Sequence, residues 1–292
     1  MGQLTTDEPG DYTVALTGVT GKTGSLIAAD ALARGWRVRS LARRMPAMGE
    51  WYRMDWDDCS SWWPGFAGCD AAYVLIPFNH PGAAERTPDV LRMAADSGVR
   101  RIVLLSSLDA DGAPAGDPLT EAEDALVRLD VDWAILRPTW FMENFSVGSF
   151  GAMVREGCLR LPAGDGRIPF VAVHDVAQVA VAALTPDGPR GRLPLTGPEA
   201  VTHAQVCDAL SAAIGQPVRW SHASPEEFTT LMKVRGFSEE YTRFLIAALD
   251  DVRTGRLIIP VTDIVTRITG NPAISLEHFA SEMAATRVGE GS

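Results

Sequence analysis

A doubly wound, parallel α/β sheet carrying a smaller, mostly helical C-terminal lobe is the fold class that the sequence predicts. Three observations predict it. Short β-type runs alternate with amphipathic helical segments through the first two thirds of the chain, the rhythm of βαβ units. One run, "AAYVLIPF" (71–78), is apolar throughout, as a strand buried on both faces requires. After residue 145 the alternation breaks, and helical segments dominate the remainder of the chain.

The elements follow from local pattern. "YTVALT" (12–17) reads as the first strand. "GKTGSLIAADALARG" repeats Leu26, Ile27, Ala31 and Leu32 at helical spacing and is stopped by Gly35. "WRVRSLAR" (36–43) and "EWYRMDW" (50–56) are the next strands, the latter followed by a short helix, "DCSSWWPGF". In "TPDVLRMAADSGV", Thr87 reads as the N-cap and Pro88 as the first helical residue, where a missing N–H is harmless. "RRIVLLSSL" (100–108), the helix "PLTEAEDALVRLD" and the strand "VDWAILRP" (131–138) complete the alternation.

Beyond it, "LRLPAGDGRIPFVAVHDVAQVAVAAL" holds a glycine-rich turn, a short strand and a helix. "RLPLTGPEAVTHAQVCDALSAAIGQPVRW" adds a strand, a capped helix and another strand. "PEEFTTLMKVRGF", "EEYTRFLIAALDDVRTG", "TDIVTRITG" and "SLEHFASEMAA" read as helices. In the second of these, Phe244, Leu245, Ala248 and Val252 form one apolar stripe, the mark of a core face. The expected division is a core over 11–145. The stretch 146–285 then supplies the rest of that core (about 168–197) and the C-terminal lobe, with no low-complexity linker between. The polar ends "MGQLTTDEPGD" and "TRVGEGS" read as loose.

A net charge of −11 repels a phosphate backbone, so a nucleic-acid partner is not expected. No apolar run is long enough for a bilayer span and no signal-peptide pattern opens the chain, so no membrane partner is expected either. Cys59, Cys69, Cys158 and Cys207 show no metal-binding spacing. They read as reduced thiols of a cytoplasmic protein with no metal site.

Between the first strand and the first helix lies "ALTGVTGKTG", with Gly18, Gly21 and Gly24 three apart. A glycine turn there aims backbone N–H groups and the positive helix end outward, which suits a pyrophosphate. The first glycine permits the turn, the second admits the phosphate, and the third lets helix and strand pack closely. Thr20, Lys22 and Thr23 offer further donors. At the end of the second strand, where an NAD enzyme places an acid on the ribose, the sequence reads "SLARRM". Arg43 and Arg44 there suit a 2′-phosphate, which favours NADP(H) as cofactor. Asp55 either accepts from the adenine amine or caps the helix after it.

The series "TGVTGKTG", "LARR", "SSL" and "LRPTWFMENF", with "FVAVHDVAQVAVAAL" and "SLEHFASE", resembles the NmrA-like family of atypical short-chain dehydrogenases. "RPTWFMENF" and "LPAGDGRIPFV" are most similar to its ergot-alkaloid iminium reductase-like branch. The resemblance runs from about residue 12 to 280 and implies a Rossmann-type core. It implies that Gly18, Thr20, Gly21, Lys22, Thr23 and Gly24 hold the pyrophosphate and Arg43 the 2′-phosphate. Asp55 and Trp56 would lie near adenine, and Ile76, Pro77, Ser106 and Ser107 would flank the ribose and nicotinamide. Pro138, Thr139, Trp140, Phe141 and Asn144 would floor the substrate pocket, with the lobe closing over the nicotinamide end. Some members of the family reduce quinones, and others bind NADP(H) without catalysis as redox sensors.

Ordinary short-chain dehydrogenases use Tyr-x-x-x-Lys to pass a proton to the substrate oxygen. Here the tyrosines are at 12, 52, 73 and 241 and the lysines at 22 and 233, so no such pair exists. The place expected for it holds Thr120, Glu121 and Asp124. Hydride transfer needs no protein acid when the acceptor is already activated, which points to a cyclic iminium, a quinone or a conjugated enone. The aromatic floor suits a flat or polycyclic substrate. Ser107 is a candidate to polarise the acceptor or else only closes its turn, and His174 is the candidate proton donor. Asp175 reads first as a helix N-cap, with a catalytic acid as the alternative. The expectation is a cytoplasmic NADPH-dependent reductase of secondary metabolism or detoxification, monomer or homodimer. Alternatives are a non-catalytic NADP(H) sensor that binds a protein partner, and a non-redox cyclase or isomerase on the same fold.

Overall fold

The computed structural model describes residues 12–77, 82–110, 113 and 116–290. The chain runs through β1 (Thr13–Thr17), α1 (Lys22–Ala33), β2 (Arg37–Ala42), β3 (Glu50–Arg53), α2 (Trp63–Phe66) and β4 (Ala71–Leu75). Next come α3 (Ala83–Asp96), β5 (Arg101–Leu105), α4 (Pro118–Val127), β6 (Asp132–Pro138), α5 (Gly148–Arg155), β7 (Cys158–Leu161) and β8 (Arg167–Ile168). Then come α6 (Val173–Leu184), β9 (Gly191–Leu195), β10 (Val201–Thr202), α7 (His203–Ile214) and β11 (Arg219–His222). The chain closes with α8 (Pro225–Val234), α9 (Glu239–Arg253), α10 (Ile264–Thr269) and α11 (Leu276–Glu290).

Two compact units result. The first comprises Met1–Pro138, Val173–Leu195 and Arg267–Gly270; the second comprises Thr139–Ala172, Thr196–Thr266 and Asn271–Ser292.

The first unit is built on a seven-stranded sheet of order β3-β2-β1-β4-β5-β6-β9, every neighbouring pair parallel. Its strands are apolar on both sides because helices cover both faces. On one face Ala72, Val74, Ile102, Leu104 and Ile135 pack with Phe66 of α2, Val90 and Leu91 of α3, and Leu119, Ala122 and Leu126 of α4. On the other lie α1 and α6, whose Ile27, Ala28, Ala31, Val176, Val179 and Ala180 are fully buried or nearly so. Burying one such aliphatic side chain contributes about 2 kcal/mol. Leu26 and Leu32, expected on the buried stripe of α1, are instead partly exposed.

The chain steps from β1 outward to β2 and β3, then returns across β1 to β4. The carboxyl ends of β1 and β4 therefore form the crevice where ligands bind in open α/β sheets. Thr17 ties these two strand ends together: its Oγ1 accepts from Leu75 N (3.0 Å) and donates to Tyr73 O (3.3 Å).

At the opposite edge Arg101, only 3% exposed, closes the end of α6. Its guanidinium donates to the carbonyls of Ala183, Pro186 (3.3 Å) and Pro189 (2.9 Å). A cation at a helix C-terminus also complements the helix dipole.

Several boundaries differ from the sequence expectations. α3 begins at Ala83, so Thr87 is buried within it and Pro88 is internal rather than first. Being in the second turn, Pro88 gives up only one early helical bond. β3 stops at Arg53 because Asp55 and Asp58 pair across a turn. α5, unmarked in the sequence, carries Gly148 and Gly151; a Cβ on Gly151 would lie 2.5 Å from the Ser146 carbonyl carbon. α11 continues to Glu290, so most of "TRVGEGS" is helical rather than loose. The expectation for residues 1–11, and for Phe78 at the end of its strand, lies outside the described residues.

In the second unit β7 pairs with β11 in parallel and β8 with β10 antiparallel. α7 and α8 each start on a capping box, Thr202 with Gln205 and Ser224 with Glu227. Arg235 binds Glu156 through two bonds, Nη1–Oε1 at 2.9 Å and Nη2–Oε2 at 2.6 Å. Phe145, Phe150, Phe170 and His203 form an aromatic core.

Candidate active site

The turn from β1 into α1 is set by its glycines. Gly18 has φ +63°, and a Cβ there would sit 1.7 Å from Leu75 Cδ2 at the end of β4. A Cβ on Gly24 would lie 2.3 Å from the Gly18 carbonyl oxygen, so helix and strand meet only because it has none. Gly21 donates its N–H to Gly18 O (2.8 Å) and serves as N-cap of α1 without any side-chain capping bond. The first amides of a twelve-residue helix are thus left for a partner outside the local turn. Thr20, Gly21 and Lys22 are exposed around this helix start, whereas Thr23 and Gly24 are buried. A pyrophosphate fits such a cradle.

Arg43 and Arg44 come directly after the last residue of β2 and are both exposed. Neither has an intramolecular partner among the described residues, and no carboxylate precedes them at the strand end. Beyond β3, Asp55 accepts from Asp57 N (3.2 Å) and lies 3.4 Å from Arg53 Nη2. The cap of the short 3-10 turn after it is Asp58, which accepts from Ser60 N. Trp56 is partly buried against Trp62, ring centroids 6.5 Å apart. Ile76, buried, and Pro77, half-buried, extend β4 at the crevice.

At the end of β5, Ser107 Oγ donates to Asp109 Oδ2 (2.9 Å) and accepts from Asp109 N (3.3 Å), closing its own turn. Ser106 faces inward: its Oγ donates to Glu123 Oε1 at 2.7 Å. Glu123, 1% exposed on α4, also accepts from Arg137 Nε (2.9 Å) and Nη2 (2.6 Å) and from Arg192 Nε (3.1 Å). Burial pushes its carboxyl up, but the bonds from Arg137 and Ser106 with the arginine charges outweigh this and hold it below the usual range. Glu123, Arg137 and Arg192 were not among the residues expected at the site. The one signal for them in the sequence is an acid on the buried stripe Leu119, Ala122, Glu123 and Leu126.

Pro138 ends β6 and is buried. In the second unit Thr139 is buried too, its Oγ1 lacking a hydrogen-bond partner among the described residues. Trp140 lies parallel to Phe150, centroids 6.4 Å apart and planes 14° from coplanar. Its carbonyl accepts from Val171 N (3.0 Å), and Met142 N returns a bond to Val171 O (2.9 Å), which fixes Phe141 between them. Asn144 donates its backbone N–H to Phe141 O (3.1 Å).

His174 is exposed in the first turn of α6. Because Arg101 holds the far end of α6 at the amino edge of the sheet, that first turn points to the carboxyl edge. Asp175 is buried inside this turn rather than capping it, since the helix starts at Val173. Among the described residues no three potential metal ligands gather, and no helix is long and apolar enough to cross a membrane.

The sheet therefore brings the glycine turn, Arg43 and Arg44, Ile76 and Pro77, and Ser106 and Ser107 to the carboxyl ends of neighbouring parallel strands. A family model described as NAD(P)H-binding matches residues 18–187. The chain belongs to that family. In fold it is NmrA-like, and its relatives are named oxidoreductases and dehydrogenases. It is similar to "Uncharacterized oxidoreductase YesF" of Bacillus subtilis, 32% identical over 277 residues, covering 93% of this chain and 95% of that one. Agroclavine dehydrogenase of Claviceps purpurea is 31% identical over 292 residues, 94% of this chain and 99% of the relative. Among solved structures, NmrA, a negative transcriptional regulator in complex with NADP, shares the fold with a TM-score of 0.77. It is 17% identical, with 97% of this chain and 98% of that one covered.

Proposed function

We propose that the protein is an NADPH-dependent reductase delivering hydride to a pre-activated acceptor: a cyclic iminium, a quinone or a conjugated enone. The observation that carries the cofactor choice is the pair Arg43 and Arg44, exposed and unpartnered where an NAD enzyme holds an acid. A guanidinium there offers paired, charge-assisted bonds to a 2′-phosphate. The uncapped amides of α1, with Thr20 and Lys22, take the pyrophosphate, and Asp55 and Trp56 take the adenine end.

Reduced nicotinamide, when bound, supplies the hydride. The chain contributes binding and orientation rather than an acid pair. An iminium that accepts hydride becomes a neutral amine and needs no proton, whereas a quinone collects one from water. Trp140, held parallel to Phe150, supports a flat or polycyclic substrate. Exposure of His174 in the first turn of α6 supports its role as a proton relay where the acceptor needs one. Free thiols at Cys59, Cys69, Cys158 and Cys207 suit a cytoplasmic setting.

The test is a titration with NADPH and NADH followed by nicotinamide fluorescence. Wild type should prefer NADPH, and Arg43→Ala should weaken NADPH about tenfold or more while leaving NADH unchanged. Equal loss for both nucleotides rejects the phosphate assignment. Nicotinamide oxidation with iminium and quinone acceptors then tests the activity; binding without turnover of any acceptor points instead to a sensor.

A further inference from the structure

The buried cluster at the end of β5 assigns a polarity to the site. Ser106, 5% exposed, has a single hydroxyl hydrogen, and Glu123 Oε1 takes it at 2.7 Å. Glu123 cannot release that bond cheaply. Its oxygens accept from three guanidinium nitrogens, two on Arg137 and one on Arg192, at 2.6 to 3.1 Å. The two arginines stand on β6 and β9, neighbouring strands of the parallel sheet. An ionised carboxylate is acceptor-only, so every neighbour must donate to it. Ser106 Oγ is left with lone pairs alone. The hydrogen of Ser107 is likewise committed, to Asp109 Oδ2.

We propose that Glu123, clamped by Arg137 and Arg192, is a positioning residue that fixes Ser106 as a hydrogen-bond acceptor for a donor group of the bound nicotinamide nucleotide, a ribose hydroxyl or the carboxamide N–H. This rests on the reading that NADPH lies across the carboxyl ends of β1, β4 and β5. One consequence is that neither serine holds a proton for the acceptor. The proton of a quinone-type product then comes from water or His174.

The experiment is a double-mutant cycle on NADPH affinity, read by fluorescence without turnover. Ser106→Ala removes the acceptor. Glu123→Gln substitutes an amide whose N–H2 can donate to Ser106, reversing the bond and leaving the hydroxyl one lone pair and its hydrogen, so that Ser106 is no longer fixed as an acceptor. Each single variant should raise the NADPH Kd about tenfold, the size of one well-made hydrogen bond. The double variant should be no worse than either, because both remove one shared interaction. Ser106→Thr, which keeps the hydroxyl, should bind like wild type. Should Glu123→Gln fail to fold, the cycle is run with Arg192→Gln, which removes one clamp from the more exposed partner and should give a smaller, still coupled loss. Wild-type affinity in Ser106→Ala, or losses that simply add, overturns the proposal. Wild type that binds no NADPH at all overturns the underlying reading and this one with it, and that failure is seen before any variant is made.

Discussion

The imidazole of His203 stacks on the indole of Trp220, ring centroids 5.4 Å apart and planes inclined by 18°. Phe145 and Phe170 meet the same ring edge-on, and neither of its nitrogens has a hydrogen-bond partner among the described residues. Burial alone pushes its pKa down from 6.5 to about 4. The folded protein thus keeps this ring neutral where the unfolded chain would charge it.

Stability should therefore fall as pH drops from 6.5 and stop falling from this cause near pH 4. The loss from this one group is roughly 3 kcal/mol. Above pH 6.5 both states are neutral and the group contributes no slope. Urea midpoints measured across this window should show the dependence in wild type and lose it in His203→Leu. An unchanged slope in the variant assigns the effect to another group.

Gly24→Ala should damage both fold and binding. A methyl 2.3 Å from the Gly18 carbonyl oxygen forces the strand and helix apart, at a cost of about 1–3 kcal/mol. The same displacement opens the turn whose amides face the pyrophosphate. Thermal melts and NADPH titration should therefore move together; a lowered Tm with undisturbed affinity would separate the turn from the cofactor.

Arg101→Met should destabilise the first unit without touching the ligand edge. It leaves the carbonyls of Ala183, Pro186 and Pro189 without their donor, worth about 3 kcal/mol in denaturant unfolding. Arg101→Lys should rescue little, because one ammonium cannot span three acceptors set around a planar fork. NADPH affinity measured on the folded fraction should stay at the wild-type value.

Period and punctuation made the sheet legible. Continuous apolar runs placed β4 and β5, and the glycine turn and Gly35 placed α1 to within a few residues. Local signals failed where the decisive partner was distant. Pro88 looked like a helix start because nothing in its neighbourhood reveals that Ala83 already begins the helix. Glu123 drew no notice beside Glu121 and Asp124, since its contacts with Ser106, Arg137 and Arg192 arise only once β5, β6 and β9 lie side by side. Asp175 misled in a milder way: a buried acid in the first turn has the composition of a cap without its position.

β9 pairs with β6, yet residues 139–172 of the second unit are translated between them. A ribosome therefore extrudes six strands of the sheet and then a long excursion before the seventh arrives. During that interval β6 is an unprotected edge, and Glu123 has yet to meet Arg192. Chains truncated before β9 should expose this edge, and they should aggregate more than the full chain.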